Sequence, residues 1–310
     1  MIKSLSSSLL CAAIYAGLTG SGHALNARTW VSGTGIDQAG CGPIANPCRT
    51  LQYAHDNTSA GGEVNFKDSA GYGSVAVIKA ISIIADGVFA GVLAGAGQSA
   101  ITINAGASDA VVLRGLSIEG AGVALNGIVF KSGGALTIAN CWVQNFDADL
   151  GTGIFINHAA GSPNVAISNT ITSSNSYVGM WYYPSGSGGG TFEIDRSTVN
   201  MQQWGIALNM SNSSGNVLAT VSNSIVYGNS KYGIYTEGGT AKVKIKLETS
   251  IISKSPFGFF NQGTGYIGRT SIVGNNTGVN AGGTTYSFGN NEIGGNTTDV
   301  SGALTPIALR

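Results

Sequence analysis

Charged residues make up only 10% of this 310-residue sequence, and its 15 basic and 15 acidic side chains cancel. A basic surface for nucleic acid is therefore not expected, and partners should be neutral or mildly charged. Beyond the first two dozen residues, no apolar run approaches the roughly 18 residues of a membrane-spanning helix. His55 and His158 are the histidines outside that segment, and neither has a recognisable nucleophile near it in the sequence. The sequence predicts no membrane span.

Residues 1–24 have the features of a secretory signal peptide. Lys3 provides a basic start, residues 9–18 an apolar stretch, and Gly22-His23-Ala24 a small-x-small cleavage site. We expect cleavage after Ala24, with the bond after Ala27 as the second choice. The mature protein is then expected to be secreted, either extracellular or periplasmic.

Cysteine is scarce once the signal is removed. Cys41 and Cys48 flank a short segment rich in Gly and Pro, and Cys141 lies far downstream. In an exported chain this arrangement predicts a disulfide between Cys41 and Cys48 and a free thiol at Cys141. A metal site at the same pair is the weaker alternative, because no second Cys or His pair with ligand spacing follows.

The abundant residues indicate an all-β repeat protein. The sequence has 48 Gly, together with many Ser, Thr, Asn, Val and Ile. A glycine followed by a bulky apolar residue recurs, with the first four examples 26 residues apart: Gly127, Gly153, Gly179, Gly205, Gly233, Gly258 and Gly278. A second landmark runs in step with the first: Asn140-Cys141-Trp142, Asn169-Thr170-Ile171, Arg196-Ser197-Thr198, Asn223-Ser224-Ile225, Thr249-Ser250-Ile251, Thr270-Ser271-Ile272 and Asn291-Glu292-Ile293. Two landmarks with one period define a repeat.

Each repeat holds short alternating strands and has no room for a helix. Such strands bury their apolar faces only by stacking, about 4.8 Å apart, on the coils above and below. We therefore predict a single-stranded right-handed parallel β-helix over residues 63–303, with about nine or ten coils. An antiparallel sandwich would show hairpin turns without the longer period. The residues predicted to face the interior are Ile138, Ile154, Ile167, Ile194, Ile206, Val221, Ile234 and Leu247.

Both ends of a solenoid expose strand edges that need a cover. Residues 25–62 are predicted to form an N-terminal Cys loop and a capping helix over Thr50–Thr58, with Thr50 as its N-cap. Residues 304–310 are predicted to fold over the last coil, because Pro306 is unable to continue a ladder.

The order of these features resembles the pectin-lyase-like right-handed β-helix superfamily. The resembling features are the signal, the Cys loop, the helix at Arg49-Thr50-Leu51, the glycine pair and the Asn-Ser-Ile and Gly-Ile coils, over about residues 28–310. Within the superfamily, the chain is similar to exported bacterial β-helix repeat proteins of unassigned activity. Characterised members are commonly polysaccharide lyases, glycoside hydrolases, carbohydrate esterases or phage tailspikes. The resemblance implies an extended groove on one sheet that holds a sugar chain.

The enzyme motifs of those members are absent from this sequence. There is no W-I-D-H or R-x-P-x-x-R of pectate lyases, no N-T-D, D-D, G-H-G or R-I-K of polygalacturonases, and no Q-D-T-L of pectin methylesterases. No catalytic residue is carried over from the resemblance, and whether the chain is an enzyme stays open.

Three groups of charged residues have an alternative functional interpretation. Glu193 and Asp195 point outward from one strand about 6.7 Å apart, near the spacing of an inverting glycosidase. Charged residues at outward sites are ordinary, so we predict that this pair is not catalytic. Asp147 and Asp149 supply too few oxygens for Ca²⁺, and no cofactor or metal is predicted. The lysines at 242, 244 and 246 either attract an acidic polysaccharide or protect a strand edge.

The sharper signal is aromatic. Two places after each landmark glycine, an outward position is occupied by Val129, Phe155, Trp181, Ala207, Tyr235, Phe260 or Asn280. Two places further on lie Lys131, Asn157, Tyr183, Asn209 and Glu237. Rings alternating with amides and a carboxylate suit a sugar chain. The alternative is that the loop after Tyr183-Pro184 folds over this face and buries it.

Three functions follow from these observations. The first is binding of polysaccharide along the outward aromatic face, through Phe155, Trp181, Tyr183, Tyr235 and Phe260 with Asn157, Asn209 and Glu237. The second is a polysaccharide lyase or glycoside hydrolase with a non-standard site. The third is a surface adhesin or assembly module.

Overall fold

A computed structural model describes residues 25–308, and almost all of its regular structure is β-strand. The predicted signal peptide lies outside the described residues. Each coil passes through three parallel sheets, which we call sheets I, II and III in the order of the chain. Sheet II has ten strands, so the described residues make ten coils.

Most strands are three to six residues long. Sheet I contains Asn26–Val31, Thr58–Phe66, Ile81–Ile84, Ala110–Arg114, Ala135–Ala139, Asn164–Ser168, Gly190–Asp195, Val217–Ser222, Val243–Glu248 and Thr264–Gly268. Sheet II contains Ala70–Gly71, Ala90–Leu93, Leu116–Glu119, Trp142–Gln144, Ile171–Ser173, Thr198–Asn200, Ile225–Tyr227, Ile251–Ser253, Ser271–Val273 and Glu292–Gly294. Sheet III contains Val75–Val77, Ser99–Asn104, Asn126–Ser132, Thr152–Ile156, Val178–Tyr182, Trp204–Asn209, Tyr232–Glu237 and Phe257–Asn261. Two last strands run from sheet III into sheet I: Thr277–Ser287 and Thr298–Pro306.

Stacked apolar side chains fill the interior of the solenoid. On sheet I, Ile167, Ile194 and Val221 pair in register on successive coils. The eight side chains predicted to face the interior are at most 1% exposed: Ile138, Ile154, Ile167, Ile194, Ile206, Val221, Ile234 and Leu247. The predicted parallel β-helix and its register are confirmed.

A residue in left-handed conformation turns the chain from sheet I to sheet II. Asn140 and Asn169 have φ angles of 55° and 47°. Asparagine tolerates this region better than most residues, which explains its recurrence in the second landmark. The residue that follows is buried and links coils: Thr170 N–H donates to Ser197 Oγ at 3.2 Å, and Ser197 N–H donates to Ser224 Oγ at 3.1 Å. The second landmark is thus a turn with a buried hydroxyl ladder.

The landmark glycine lies where two coils approach most closely. A Cβ on Gly205 would lie 2.5 Å from the carbonyl oxygen of Gly233, closer than a carbon atom can approach. Strict alternation fails at this glycine, since both Trp204 before it and Ala207 two places after it belong to an apolar cluster distinct from the interior core. The same holds for Tyr232 and Tyr235 of the next coil, so two outward side chains of one strand lie on the same face.

The N-terminal end is covered by a helix and a disulfide loop. Helix α1, Leu51–Asp56, begins after Thr50, whose Oγ1 accepts a hydrogen bond from Tyr53 N–H at 3.3 Å. This confirms the predicted N-cap, although the helix ends before Thr58, which enters a strand. The described residues include no helix with the length and apolarity needed to cross a membrane.

Cys41 and Cys48 form a disulfide, as predicted, with their Cα atoms 5.0 Å apart. The loop that they close pairs with the outer edge of Asn26–Val31, since Trp30 N–H donates to the Gly42 carbonyl at 2.7 Å and Cys48 N–H donates to the Trp30 carbonyl at 2.9 Å. The loop therefore shields an edge strand that would otherwise pair with another chain.

We predict a thiol count of one for denatured protein that begins at residue 25, and three after reduction. Cys141 is free and buried, and burial raises the pKa of its thiol to about 11. It should therefore react slowly with thiol reagents until the protein is unfolded. A count of three before reduction would contradict the disulfide.

The expected C-terminal cap over residues 304–310 is wrong for the part that the structure describes. Leu304 and Pro306 continue the last strand of the solenoid, where they pair with Thr285 and Ser287. Proline is accommodated because this strand is the outermost one described, so its missing N–H breaks no further ladder in residues 25–308. Ile307 N–H still donates to the Ser287 carbonyl at 2.9 Å. Leu309 lies outside the described residues.

Candidate functional site

The predicted outward column on sheet III is in register. Phe155 pairs with Trp181, Trp181 with Ala207, Ala207 with Tyr235, and Tyr235 with Phe260. Phe155, Trp181 and Phe260 are half-buried, so each retains some solvent contact. The glycine frame thus places these side chains on one face, as the sequence indicated.

A second aromatic column lies beside the first. Trp204 pairs with Tyr232, and Tyr232 pairs with Phe257, each directly before a landmark glycine. Tyr177 lies next to them, with its ring 5.2 Å from that of Trp204. Sequence reasoning missed this column, although an aromatic residue before the glycine in three successive coils was a signal. In the described part of the chain, nine rings form one contact network, which we call the aromatic strip: Phe155, Tyr177, Trp181, Tyr183, Trp204, Tyr232, Tyr235, Phe257 and Phe260.

The rings of the strip stack on one another along the solenoid. The centroids of Phe155 and Trp181 are 4.8 Å apart with an interplanar angle of 18°, and those of Trp181 and Tyr183 are 4.8 Å apart at 5°. The first distance matches the spacing of adjacent coils, so these rings shield each other's faces. The sequence predicted an outward face of rings that alternate with amides and a carboxylate. In the structure these rings form a ridge, because neighbouring aromatic side chains pack face to face against one another.

Tyr235 is not an exposed binding platform, contrary to its assignment from the sequence. It is 9% exposed, with rings of Trp204 at 4.7 Å, Tyr232 at 4.9 Å and Phe260 at 5.5 Å. Burial, followed by a hydrogen bond to Glu237, raises the pKa of the Tyr235 hydroxyl. Ala207, in the same column, is likewise buried, in the cluster that includes Trp204.

The polar residues predicted to line the strip are held in different ways. Glu237 accepts hydrogen bonds from Asn209 Nδ2 at 2.7 Å and from the Tyr235 hydroxyl at 3.0 Å, so these two residues support Tyr235. Asn212 Nδ2 donates to the Tyr183 hydroxyl at 2.5 Å. Asn157 is half-buried, and its side chain makes no hydrogen bond within residues 25–308. Of the three predicted polar residues, Asn157, Asn209 and Glu237, the side chain of Asn157 has the most freedom to contact a ligand.

The loop after Tyr183 does not cover the rings. Ser187 N–H donates to the Ala159 carbonyl and Gly189 N–H to the Gly161 carbonyl, both at 3.0 Å. Ser214 N–H donates to the Gly186 carbonyl at 2.8 Å. The loop therefore stacks between the equivalent loops of the adjacent coils, and the strip stays open on its outer side.

A shallow groove of about 560 Å³ runs beside the strip, across five successive coils. The turns from sheet II to sheet III line it, and Ser176, Gln203 and Ser230 of this lining precede Tyr177, Trp204 and Tyr232 of the strip by one or two residues. The lining is Ala121, Gly122, Asn145, Asp147, Ser174, Asn175, Ser176, Met201, Gln202, Gln203, Gly228 and Ser230. The groove and the strip are thus adjacent along the chain in three of the coils.

Buried amides make the groove wall rigid. Asn175 N–H donates to Gln202 Oε1, and Gln202 N–H donates to Asn229 Oδ1, both at 3.3 Å. Met201 stands on this wall with a φ of 59° and is 63% exposed. The same turn position is left-handed in other coils, at Asn145, Ser174 and Lys254, so the φ of Met201 belongs to the repeat, and its exposed side chain is what bears on the groove. Sequence reasoning did not identify Met201.

Comparison with known proteins finds similar structures but no similar sequence. No protein-family model and no curated protein matches the chain. Among solved structures, the A-module of the mannuronan C-5 epimerase AlgE6 from Azotobacter vinelandii aligns over 73% of this chain at 14% identity, with a TM-score of 0.54. This chain covers 65% of the length of that module. A rhamnogalacturonan lyase aligns over 84% of this chain and 75% of its own at 13% identity, also with a TM-score of 0.54.

The chain shares the right-handed parallel β-helix fold with these two structures. At these identities the likeness concerns the fold alone. The chemistry of this β-helix must therefore be argued from its own side chains.

In the carboxylate pair on sheet I, neighbouring side chains hold Asp195 in place. Asp195 accepts hydrogen bonds from Ser222 Oγ at 2.9 Å and Asn223 Nδ2 at 2.8 Å, and Arg196 pairs with it at 2.6 Å. The hydrogen bond from Asn223 is the main reason that the pKa of Asp195 lies below its usual value. Glu193 is exposed beside it. That the pair is not catalytic stays a prediction, and the partners of Asp195 are consistent with it.

Proposed function

We propose that this β-helix is an exported protein that binds an extended polysaccharide along the aromatic strip and the adjoining groove. The single observation that carries the proposal is the half-exposed strip itself. Outward strand positions of a β-protein with one solvated face are normally polar, and a separate interior core already holds these coils together. A continuous aromatic surface of this kind marks a binding site more often than a bare scaffold.

The shape of the surface suits a long polymer. Five coils at the spacing of stacked strands extend about 19 Å, the length of a short oligosaccharide. A sugar ring has apolar C–H faces and a rim of hydroxyls. The strip and Met201 supply apolar contacts, while Ser176 and Gln203 beside them supply hydrogen-bonding groups. Each can both donate and accept, as a hydroxyl requires.

Two indole groups support the same location. The Nε1 atoms of Trp181 and Trp204 are buried without a hydrogen-bond acceptor within residues 25–308. A buried unsatisfied donor costs about 1 to 3 kcal/mol, so native proteins retain few of them. A small rotation of either side chain toward a bound sugar would give its N–H a hydroxyl oxygen as acceptor.

Export and the substrate type have independent support. The leader-like residues 1–24 and the Cys41–Cys48 disulfide both fit an oxidising compartment. The two structural neighbours are named for mannuronan and rhamnogalacturonan, which are polysaccharides. We therefore place the binding of a polysaccharide ahead of the binding of protein at the strip.

Trp181→Ala is expected to raise the Kd for a bound polysaccharide at least about tenfold, or about 1.4 kcal/mol, as for a tryptophan at the centre of an interface. Affinity electrophoresis in gels containing single polysaccharides, followed by calorimetry, measures the change. The matched control is Trp142→Ala, because Trp142 is 47% exposed on the outer face of sheet II. It should bind as the wild type does.

Two results would contradict the proposal. One is a wild-type protein that no polysaccharide retards, and the other is an equal loss for Trp142→Ala and Trp181→Ala. Release of reducing ends or unsaturated products in the same samples would replace the binding proposal with an enzymatic one.

A further inference from the structure

The groove beside the aromatic strip is polar but nearly uncharged. Among the described residues that line it, Asp147 is the one ionisable side chain. The others that present polar groups are amides and hydroxyls, such as Asn145, Ser174, Ser176 and Gln203. A ligand in this groove therefore meets hydrogen-bonding groups and a single negative charge.

The lysines near this face do not turn it into an anion site. The Lys231 ammonium lies over the rings of Trp204 at 5.5 Å and Tyr232 at 5.3 Å, at the border of the strip. Lys131 borders a separate hollow formed by the loops that follow sheet III. Glu237 adds a carboxylate on the strip side. Among the described residues that line the groove, no cation offsets the carboxylate of Asp147.

We infer that the groove selects a neutral polysaccharide and rejects a polyuronate, an inference that rests on the proposed binding function. A polyuronate carries one carboxylate on every sugar, so several would lie along the five coils. Each carboxylate of the polymer would lose bound water without gaining a cation in the groove. The carboxylates nearest Asp147 would also be repelled by its charge. The hydroxyls of a neutral chain are matched by amides and hydroxyls of the lining, which donate and accept.

The test compares galactomannan, xyloglucan and a soluble β-1,3-glucan with polygalacturonate and alginate, by affinity electrophoresis and calorimetry. One series contains a chelator, and a second contains calcium. We expect at least one neutral polymer to bind about tenfold more tightly than either polyuronate in both series. Tighter binding of a polyuronate in either series would overturn the inference and leave the proposed function standing. Failure of all five polymers to bind would overturn both.

Charge reversal at Asp147 locates the selectivity. Asp147→Lys should raise the affinity for polygalacturonate at low salt at least about tenfold, because it replaces the one carboxylate of the groove with a cation. The matched control is Glu193→Lys, which makes the same change of charge on the outer face of sheet I. It should leave polygalacturonate binding unchanged. An equal gain in the two variants would show that net charge, and not the groove, governs selectivity, and would contradict the inference.

Discussion

Ile194→Ala is expected to lower the free energy of unfolding by about 2 to 5 kcal/mol, the range for truncating a buried aliphatic side chain. Ile194 is 1% exposed and lies between Ile167 and Val221 of the adjacent coils. The backbone of its strand pairs with both neighbours, so the coils cannot collapse around the missing methyl groups. Most of the cavity should therefore persist, which places the loss well above that of a surface substitution.

Denaturant titration followed by circular dichroism measures this loss. Glu193→Ala is the matched control, since Glu193 is the adjacent residue on the same strand and points to solvent. It should change stability by less than about 0.5 kcal/mol. Equal effects of the two substitutions would mean that the alternation of this strand has been assigned to the wrong faces.

The fold could be predicted because its constraints repeat. The approach of the Gly233 carbonyl leaves no room for a Cβ at Gly205, and a left-handed turn favours asparagine at Asn140 and Asn169. Each requirement recurs once per coil, so the same residue types recur at the same spacing. With the coil period known, simple alternation assigned Ile194 and its partners to the interior. The two landmarks therefore carried most of the architecture.

The strip could be predicted only in part, because alternation fails at the landmark glycine. Strict alternation through Gly205 would turn Trp204 inward if Ala207 points outward. In the structure both residues instead lie in the outer cluster. This local irregularity supplies the second aromatic column, and rings from that column bury Tyr235. The spacing of residues in the sequence does not specify how side chains of different coils pack against one another.

The end of the chain shows a related limit. Pro306 indicated a break in the ladder, but a proline is incompatible with a strand only where its N–H would be used. In the described residues Pro306 pairs with Ser287 of the preceding coil, but the hydrogen bond to the Ser287 carbonyl comes from Ile307 N–H. The missing N–H of Pro306 is therefore not needed there. Whether a proline ends a strand thus depends on its position in the sheet, which its neighbours in the sequence do not specify.

Tyr235→Ala is expected to lower the free energy of unfolding by about 3 to 5 kcal/mol, the range for removing a buried aromatic side chain. The ring packs against three others, and its hydroxyl donates to Glu237 at 3.0 Å. Truncation would leave a cavity under Trp204 and Phe260 and remove one partner of a carboxylate. The strip should loosen at its centre, so any polysaccharide binding should fall together with stability.

Two further substitutions serve as controls. One distinguishes the contribution of the Tyr235 ring from that of its hydroxyl, and the other compares Tyr235 with a tyrosine on an open surface. Tyr235→Phe keeps the ring and should cost only about 0.5 to 1.5 kcal/mol, the net value of one hydrogen bond. Tyr227→Ala removes a half-buried tyrosine from the outer face of sheet II and should cost clearly less than Tyr235→Ala. In denaturant titrations, the loss of free energy of unfolding should therefore be much larger for Tyr235→Ala than for Tyr227→Ala or Tyr235→Phe. If Tyr235→Ala instead abolishes polysaccharide binding at unchanged stability, its ring is a solvent-facing platform, and the stacked arrangement described for the strip is incorrect.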